Sequence, residues 1–203
     1  MGKYFGTDGF RGKAGVELTA DHAYRIGRFL GWYYGKEHRA RIVIGKDTRR
    51  SSYMLEYAIS SGIAASGGDV FLLHVTTTPS VSYVTRTDGF DCGVMISASH
   101  NPFYDNGIKL LNRQGEKMED DVLTLIEEYL DGKLEIAENT VQEIPLAVDE
   151  KIGSIVDDTA GRNRWAKPLY GVLGFLGSVF YERKACSVRL RKRKCVAHCP
   201  SDL

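Results

Sequence analysis

RIVIGKDTRRSSYMLEYAISSGIAASGGDVFLLHV, residues 41–75, holds the pattern that decides the fold. Arg41 to Asp47 (RIVIGKD) reads as a short buried strand that ends in a polar loop. Residues 53–66 read as a helix with Leu55, Ile59 and Ile63 on one face. Gly67-Gly68 ends it, because glycine tolerates the left-handed geometry just past a helix C-terminus. Asp69 to Val75 (DVFLLHV) is the next strand. Strand, helix and strand in this order are the unit of a layered α/β domain.

The same alternation extends both ways. Upstream, Ala23, Ile26, Gly27, Leu30 and Tyr34 fall at helical spacing within residues 20–34, with Thr19 as N-cap and Gly35 as the stop. Downstream, a Thr76-Thr77-Thr78-Pro79 loop precedes a helix around 80–86. Cys92 to Ser97 (CGVMIS) is a third strand and Ile108 to Leu111 a fourth. Residues 118–130 form a helix with Val122, Leu125, Ile126, Tyr129 and Leu130 on one face. Glu119, Asp120 and Asp121 occupy its first turn, where the helix dipole favours negative charge, and Gly132 closes it. This order predicts a three-layer α/β/α sandwich around a mostly parallel mixed sheet, spanning about residues 1–155. Residues 133–150 read as a polar connector.

The chain has 203 residues, 43% hydrophobic and 26% charged, the composition of a globular protein that buries a core without disulfides or metals. Its formal charge of +1 argues against a nucleic-acid or membrane partner, but the average hides an asymmetry: residues 1–160 sum to −7 and residues 161–203 to +8. So abrupt a shift marks a boundary. The opening MGKYFGTDGFRG lacks the apolar stretch of a signal peptide, and its sixth residue, Gly6, does not suit myristoylation. Cys92, Cys186, Cys195 and Cys199 form no disulfide framework, so the expected compartment is the reducing cytoplasm. Trp165 to Tyr181 is apolar but interrupted by Lys167, Pro168 and three glycines, and it is shorter than the about 20 residues of a membrane span. Residues 156–203 therefore read as an atypical basic tail, a candidate for disorder.

Ser97-Ala98-Ser99-His100-Asn101-Pro102 directly follows the CGVMIS strand. In open α/β sheets, ligand chemistry gathers at the carboxyl ends of strands, so a serine leaving a strand is well placed to act. His100 can donate to a phosphate, and the amides of a tight Asn-Pro turn can form an anion-binding nest. Lys109, at the start of the next strand, returns beside the serine if the loop doubles back. The same residues also make a good surface turn. Asp47, Arg49 and Arg50 fit either a cleft or a solvated loop. His74 reads as a satisfied core histidine, Trp32, Tyr33 and Tyr34 as packing residues, and Cys92 as a small buried hydrophobe.

A longer pattern favours the catalytic reading. Segment 93–109, GVMISASHNPFYDNGIK, resembles the phosphoserine loop of the α-D-phosphohexomutase superfamily. Three further stretches match in order: YFGTDGFRG (4–12), IGKDTRRSS (44–52) and TTPSVSYV (77–84). The FGTDGFRG opening and the ASHNP…DNGIK form resemble the phosphoglucosamine mutase branch. The resemblance covers about residues 1–160 and implies the first domain of that family. It also implies a phosphoryl shuttle in which phosphorylated Ser99 converts glucosamine 6-phosphate to glucosamine 1-phosphate through a bisphosphate. By that resemblance Ser99 carries the phosphate and through it ligates Mg²⁺, and Lys109 is the general acid/base. Arg11 supports the phosphoserine loop, His100 assists the transfer, and Asn101 shapes the loop as a substrate-binding residue. Outside the resemblance, Lys109 reads as a solvated strand-end lysine, Arg11 as a surface ion pair and Asn101 as a turn residue.

The family's metal-binding Asp-rich loop, sugar loop and second phosphate loop have no counterpart here, and Asp157-Asp158 lacks the spacing for the first. The expectation is a truncated homologue, out of family register past about residue 164, as a frameshift near Asn163-Arg164 would produce. The alternative is a non-catalytic fragment that binds a partner or nucleic acid through Arg189 to Lys194, or pairs with a second chain as an oligomer. A zinc site at Cys186, Cys195, His198 and Cys199 departs from the usual spacing.

Overall fold

The computed structural model describes residues 2–136, 139–140, 143–161 and 163–164. The chain divides into two units, Met1–Asn163 and Arg164–Leu203, and the fold that follows is that of the first. The apolar run, the basic run and the cysteine-histidine cluster of the tail lie outside the described residues.

The 41–75 segment folds as its pattern dictates. Strand β3 (Arg41–Lys46) leads into helix α2 (Arg50–Ala65) and back to strand β4 (Asp69–Val75), which pairs parallel to β3 from Arg41↔Asp69 to Lys46↔Val75. Helix α2 begins three residues earlier than its apolar spacing suggested. The Asp47 carboxylate accepts from the Arg49 amide at 3.0 Å and from the Ser52 hydroxyl at 2.7 Å, which anchors its first turn. Helix α3 (Thr78–Thr87) returns the chain over the opposite face to strand β5 (Cys92–Ile96), parallel to β3 on its other side. Strand β6 (Asp105–Leu111) then runs antiparallel to β5.

The N-terminus adds an unforeseen hairpin, β1 (Phe5–Gly6) and β2 (Gly9–Lys13), with β2 antiparallel to β6. A short strand β9 (Ile155–Asp157) extends the other edge, parallel to β4. It carries the sheet past residue 155, where the sequence suggested the domain ends. The sheet order is β1-β2-β6-β5-β3-β4-β9, seven strands of which β1 and β6 oppose the rest. Within the polar connector, β7 (Glu135–Ile136) and β8 (Asn139–Thr140) form a separate small hairpin.

Helices α1 (Ala20–Tyr34), α2 and α4 (Asp120–Leu130) cover one face of the sheet. Their Ile26, Phe29, Leu55, Ile59 and Ile126 pack on Ile42, Ile44, Val94, Ile96 and Ile108, all fully buried. Each such side chain contributes about 1.5–3 kcal/mol, so this face carries most of the core. Thr19 caps α1 and forms a capping box with His22. Helices α1 and α2 cross closely: a Cβ on Gly62 would stand 2.1 Å from the Tyr24 carbonyl oxygen, and one on Gly27 2.2 Å from that of Ile59.

Helix α3 covers the second face, its Val81 and Thr85 filling the space above Gly45 and Gly93. Cys92 is fully buried, and desolvation pushes its thiol pKa well up. Trp32, Tyr33 and Tyr34 pack against the core from its margin. His74 is not a core residue. A register shift between Ile44 and Gly45 and a positive φ of 55° turn it out of the strand, beside Asp157 at 3.3 Å.

Candidate active site

The connections from β3 and from β4 pass over opposite faces of the sheet, so the chain order reverses between β3 and β5. Open α/β sheets bind ligands in the crevice outside such a point. Here the β3 end supplies Asp47 and Arg49, and the β5 end supplies Ser97 to Ser99.

The loop after β5 is built from local bonds. The Ser97 amide donates to the Gly107 carbonyl at 2.8 Å, which continues the β5–β6 pairing by one residue. The Ser97 hydroxyl accepts from the Ser99 amide at 3.0 Å. The amides of Asn101 and Asp105 close turns on the carbonyls of Ala98 and Pro102, each at 3.1 Å. Ala98 is fully buried, whereas Ser99 and His100 are exposed. This arrangement holds Ser99 in the left-handed region, φ 58°, a conformation serine adopts only when its surroundings impose it. The Ser99 Oγ stands 3.5 Å from His100 Nδ1, and both face solvent.

Arg11, opposite Gly107 in the β2–β6 register, reaches the loop from the hairpin. Its Nη1 donates to Asn101 Oδ1 at 3.3 Å and its Nη2 pairs with Asp8 at 3.2 Å, while its buried Nε has no partner. Lys109 lies two residues beyond Gly107, so it shares the sheet face of Arg11. It has no hydrogen bond or ion pair among the described residues and lines a hollow with Thr7, Asp8 and Lys117. Asn101 uses its side chain inside the loop: it accepts from Arg11 and donates to Asp105 at 3.1 Å. The five residues singled out from the sequence thus fall into three groups: Ser99 contacts His100, Arg11 contacts Asn101, and Lys109 stands on the sheet face of Arg11.

Two contributors stand outside those five: Arg49, which the sequence left open between a cleft and a solvated loop, and Asn106, which it did not mark. Arg49, half-buried at the start of α2, donates to the carbonyls of Ser99 (3.1 Å), Asn101 (2.8 Å), Pro102 (2.5 Å) and Asp105 (3.0 Å). Asn106, fully buried, donates to the hydroxyls of Ser51 and Ser52 at 2.9 and 3.0 Å and fixes the loop's far end to α2. The signal was the polar run Asp47-Thr48-Arg49-Arg50-Ser51-Ser52 after an apolar strand, which composition alone cannot distinguish from a solvated loop.

A family profile described as phosphoglucomutase/phosphomannomutase, alpha/beta/alpha domain I, matches residues 2–136. The chain belongs to the phosphoglucomutase/phosphomannomutase family. A phosphoglucosamine mutase of Lachnospira eligens is 68% identical over 168 residues, which make up 81% of this chain and 36% of that protein. One of Lachnoclostridium phytofermentans is 63% identical over 165 residues, 81% of this chain and 35% of that protein. A crystal structure of a phosphoglucomutase/phosphomannomutase family protein from Burkholderia thailandensis superposes with a TM-score of 0.64 at 25% identity, covering 83% of this chain and 35% of the other. The chain thus spans about a third of the length of the curated relatives it matches.

The residues present do not fit a Mg²⁺ site on their own. Among the described residues no three His, Cys, Asp or Glu side chains cluster. Of the carboxylates near Ser99, Asp47 is taken up by Arg49 and Ser52 and Asp105 by Asn101. Mg²⁺ requires several oxygen ligands, and Ser99 offers one. No helix of the described residues is long and apolar enough to cross a membrane.

Proposed function

We propose that this chain is the phosphoryl-carrying first domain of a phosphoglucosamine mutase, with Ser99 as the carrier. The observation that carries the reading is the placement of Ser99. It is exposed and held left-handed at the crevice where the strand order reverses, and its carbonyl shares the Arg49 guanidinium with that of Asn101. The 68%-identical relative bearing that name supports the choice of branch.

In this reading the Ser99 hydroxyl oxygen attacks one phosphorus of a hexosamine bisphosphate. The new bond is Oγ–P, and the bond that breaks joins that phosphorus to the sugar oxygen, which leaves as a hydroxyl. The serine proton passes to a base, the role given to Lys109, which hands a proton to the departing sugar oxygen, and the reverse step returns the phosphoryl group to the other hydroxyl. Phosphoryl transfer depends on positioning and charge neutralisation. Arg11 supplies a guanidinium with one unspent buried donor, and His100 a ring nitrogen beside Oγ. Asn101 fixes Arg11 against the loop and stands next to the substrate. The net reaction interconverts glucosamine 6-phosphate and glucosamine 1-phosphate, a cytoplasmic step toward UDP-N-acetylglucosamine. The metal ligands and the sugar-reading residues come from outside residues 1–163, so turnover needs the rest of the relatives' fold.

The test is a coupled assay of glucosamine 1-phosphate formation with a trace of bisphosphate. It compares the chain alone with residues 1–160 joined to the remainder of the Lachnospira relative. The joined protein is expected to be active and its Ser99→Ala variant inactive; equal activity in both would overturn the reading.

A further inference from the structure

Arg49 has a guanidinium with five N–H donors in one plane, and all five are used. Nε donates to Asp47 Oδ2 at 2.9 Å, Nη1 to the carbonyls of Pro102 and Asp105, and Nη2 to those of Ser99 and Asn101. The side chain is 12% exposed. No other side chain among the described residues holds so many carbonyls of one loop. Each carbonyl points inward at the same cation. In a trans peptide the N–H points opposite to its carbonyl, so the amides of His100 and Phe103 are turned away from Arg49. Neither amide has a protein acceptor among the described residues. Two separate amide donors are thus left free to meet an anion on the side of the loop away from Arg49.

We propose that Arg49 is the positioning residue of the phosphoserine loop: it gathers the loop's carbonyls behind Ser99, fixes the serine's left-handed backbone, and presents the loop's free amides to the incoming phosphoryl group. The inference rests on the reading that Ser99 carries phosphate. Arg49 does not touch the reacting atoms; it acts through the loop backbone. Lysine cannot replace it, since an ammonium has three donors and no planar fork.

The amides of Ser99, Asn101 and Asp105 report the loop, because each donates within it. Their hydrogen exchange is measured by NMR on the full chain for wild type, Arg49→Lys and Arg49→Ala, with the strand amides of β3 and β5 as the control. Alongside, in residues 1–160 joined to the remainder of the Lachnospira relative, the rate of Ser99 phosphorylation by a hexosamine bisphosphate is followed by intact mass for the same three sequences. Losing two or more bonds to a charged donor is expected to speed exchange of the three loop amides by about tenfold or more in both variants. Strand amides stay protected, and phosphorylation slows by a similar factor. Free guanidinium at sub-denaturing concentration is expected to restore both in Arg49→Ala.

Loop exchange unchanged in Arg49→Lys, or exchange raised with phosphorylation at the wild-type rate, overturns the proposal. Should Arg49→Ala unfold, Arg49→Lys still decides. A joined wild-type protein that takes up no phosphate refutes the phosphoserine reading instead, and the exchange arm still decides whether Arg49 positions the loop.

Discussion

The left-handed backbone at Ser99 makes a signed prediction about stability. Left-handed geometry costs a non-glycine residue about 1–2 kcal/mol, whereas glycine takes it freely but loses about 0.5–1 kcal/mol more conformational entropy on folding. The Ser99 side chain contributes little of its own in the unphosphorylated protein, since its single contact, with His100, is long and exposed. The backbone term therefore stands alone. Ser99→Gly should be more stable than Ser99→Ala by about 0.5–1 kcal/mol, the reverse of the usual order for these residues. For a domain of this size that difference corresponds to a shift of about 1–4 °C in Tm, or roughly 0.3 M in the urea midpoint. The assay is urea unfolding of dephosphorylated wild type and both variants, followed by far-UV circular dichroism. An alanine variant as stable as the glycine variant, or more so, would refute the claim that the fold stores strain at this serine.

Other consequences follow from packing and charge. Gly62→Ala should lower Tm although alanine favours helices by about 1 kcal/mol, because the new methyl would meet the Tyr24 carbonyl at 2.1 Å and overpacking costs about 1–3 kcal/mol; a raised Tm would mean the helices are not in backbone contact. Lys46 and Glu56 form a fully buried ion pair, so Lys46→Met should cost about 3–5 kcal/mol and Lys46→Met with Glu56→Leu far less, measured by chemical denaturation. Hydrogen bonds from Lys3 at 2.5 Å and Tyr4 at 2.8 Å hold the Asp131 carboxyl down at about 2. Its folded value lies below its unfolded one, so its contribution is complete above the ordinary carboxylate range and is lost as the pH falls toward 2. The stability gap between wild type and Asp131→Asn should therefore close across that window, and a gap that persists at pH 2 would contradict the pairing.

The sequence made the central βαβ unit legible because three independent signals agree in residues 41–75: an apolar strand, a helical stripe and a glycine stop. The cap at Thr19 and the acidic first turn of α4 were legible for the same reason. The edges were not. Strand β2, Gly9 to Lys13, has no alternation to read, and it becomes a strand by pairing with β6, where Gly107 leaves room for the Arg11 side chain. Strand β9 is three residues within a polar stretch. What fixes it is distant: Asp69 accepts from both the amide and the hydroxyl of Ser154 at 2.8 Å. Burial opposes ionisation of that carboxyl, yet the Ser154 bonds and Arg39 prevail and hold its pKa below the usual value.

His74 misled because its neighbours are apolar, while a register shift rather than composition decides where it points. At the site, the serine and its immediate neighbours were readable as a local motif. Arg49 stayed open between a cleft and a solvated loop, since its role exists only once four carbonyls from another segment converge on it.

Phosphosite mapping of residues 1–160 joined to the remainder of the Lachnospira relative, after exposure to a hexosamine bisphosphate, tests the central claim most directly. The account predicts one phosphoryl group, on Ser99, absent from Ser99→Ala and removable by incubation with glucosamine 6-phosphate. Phosphate on another residue, or its persistence in Ser99→Ala, would contradict it.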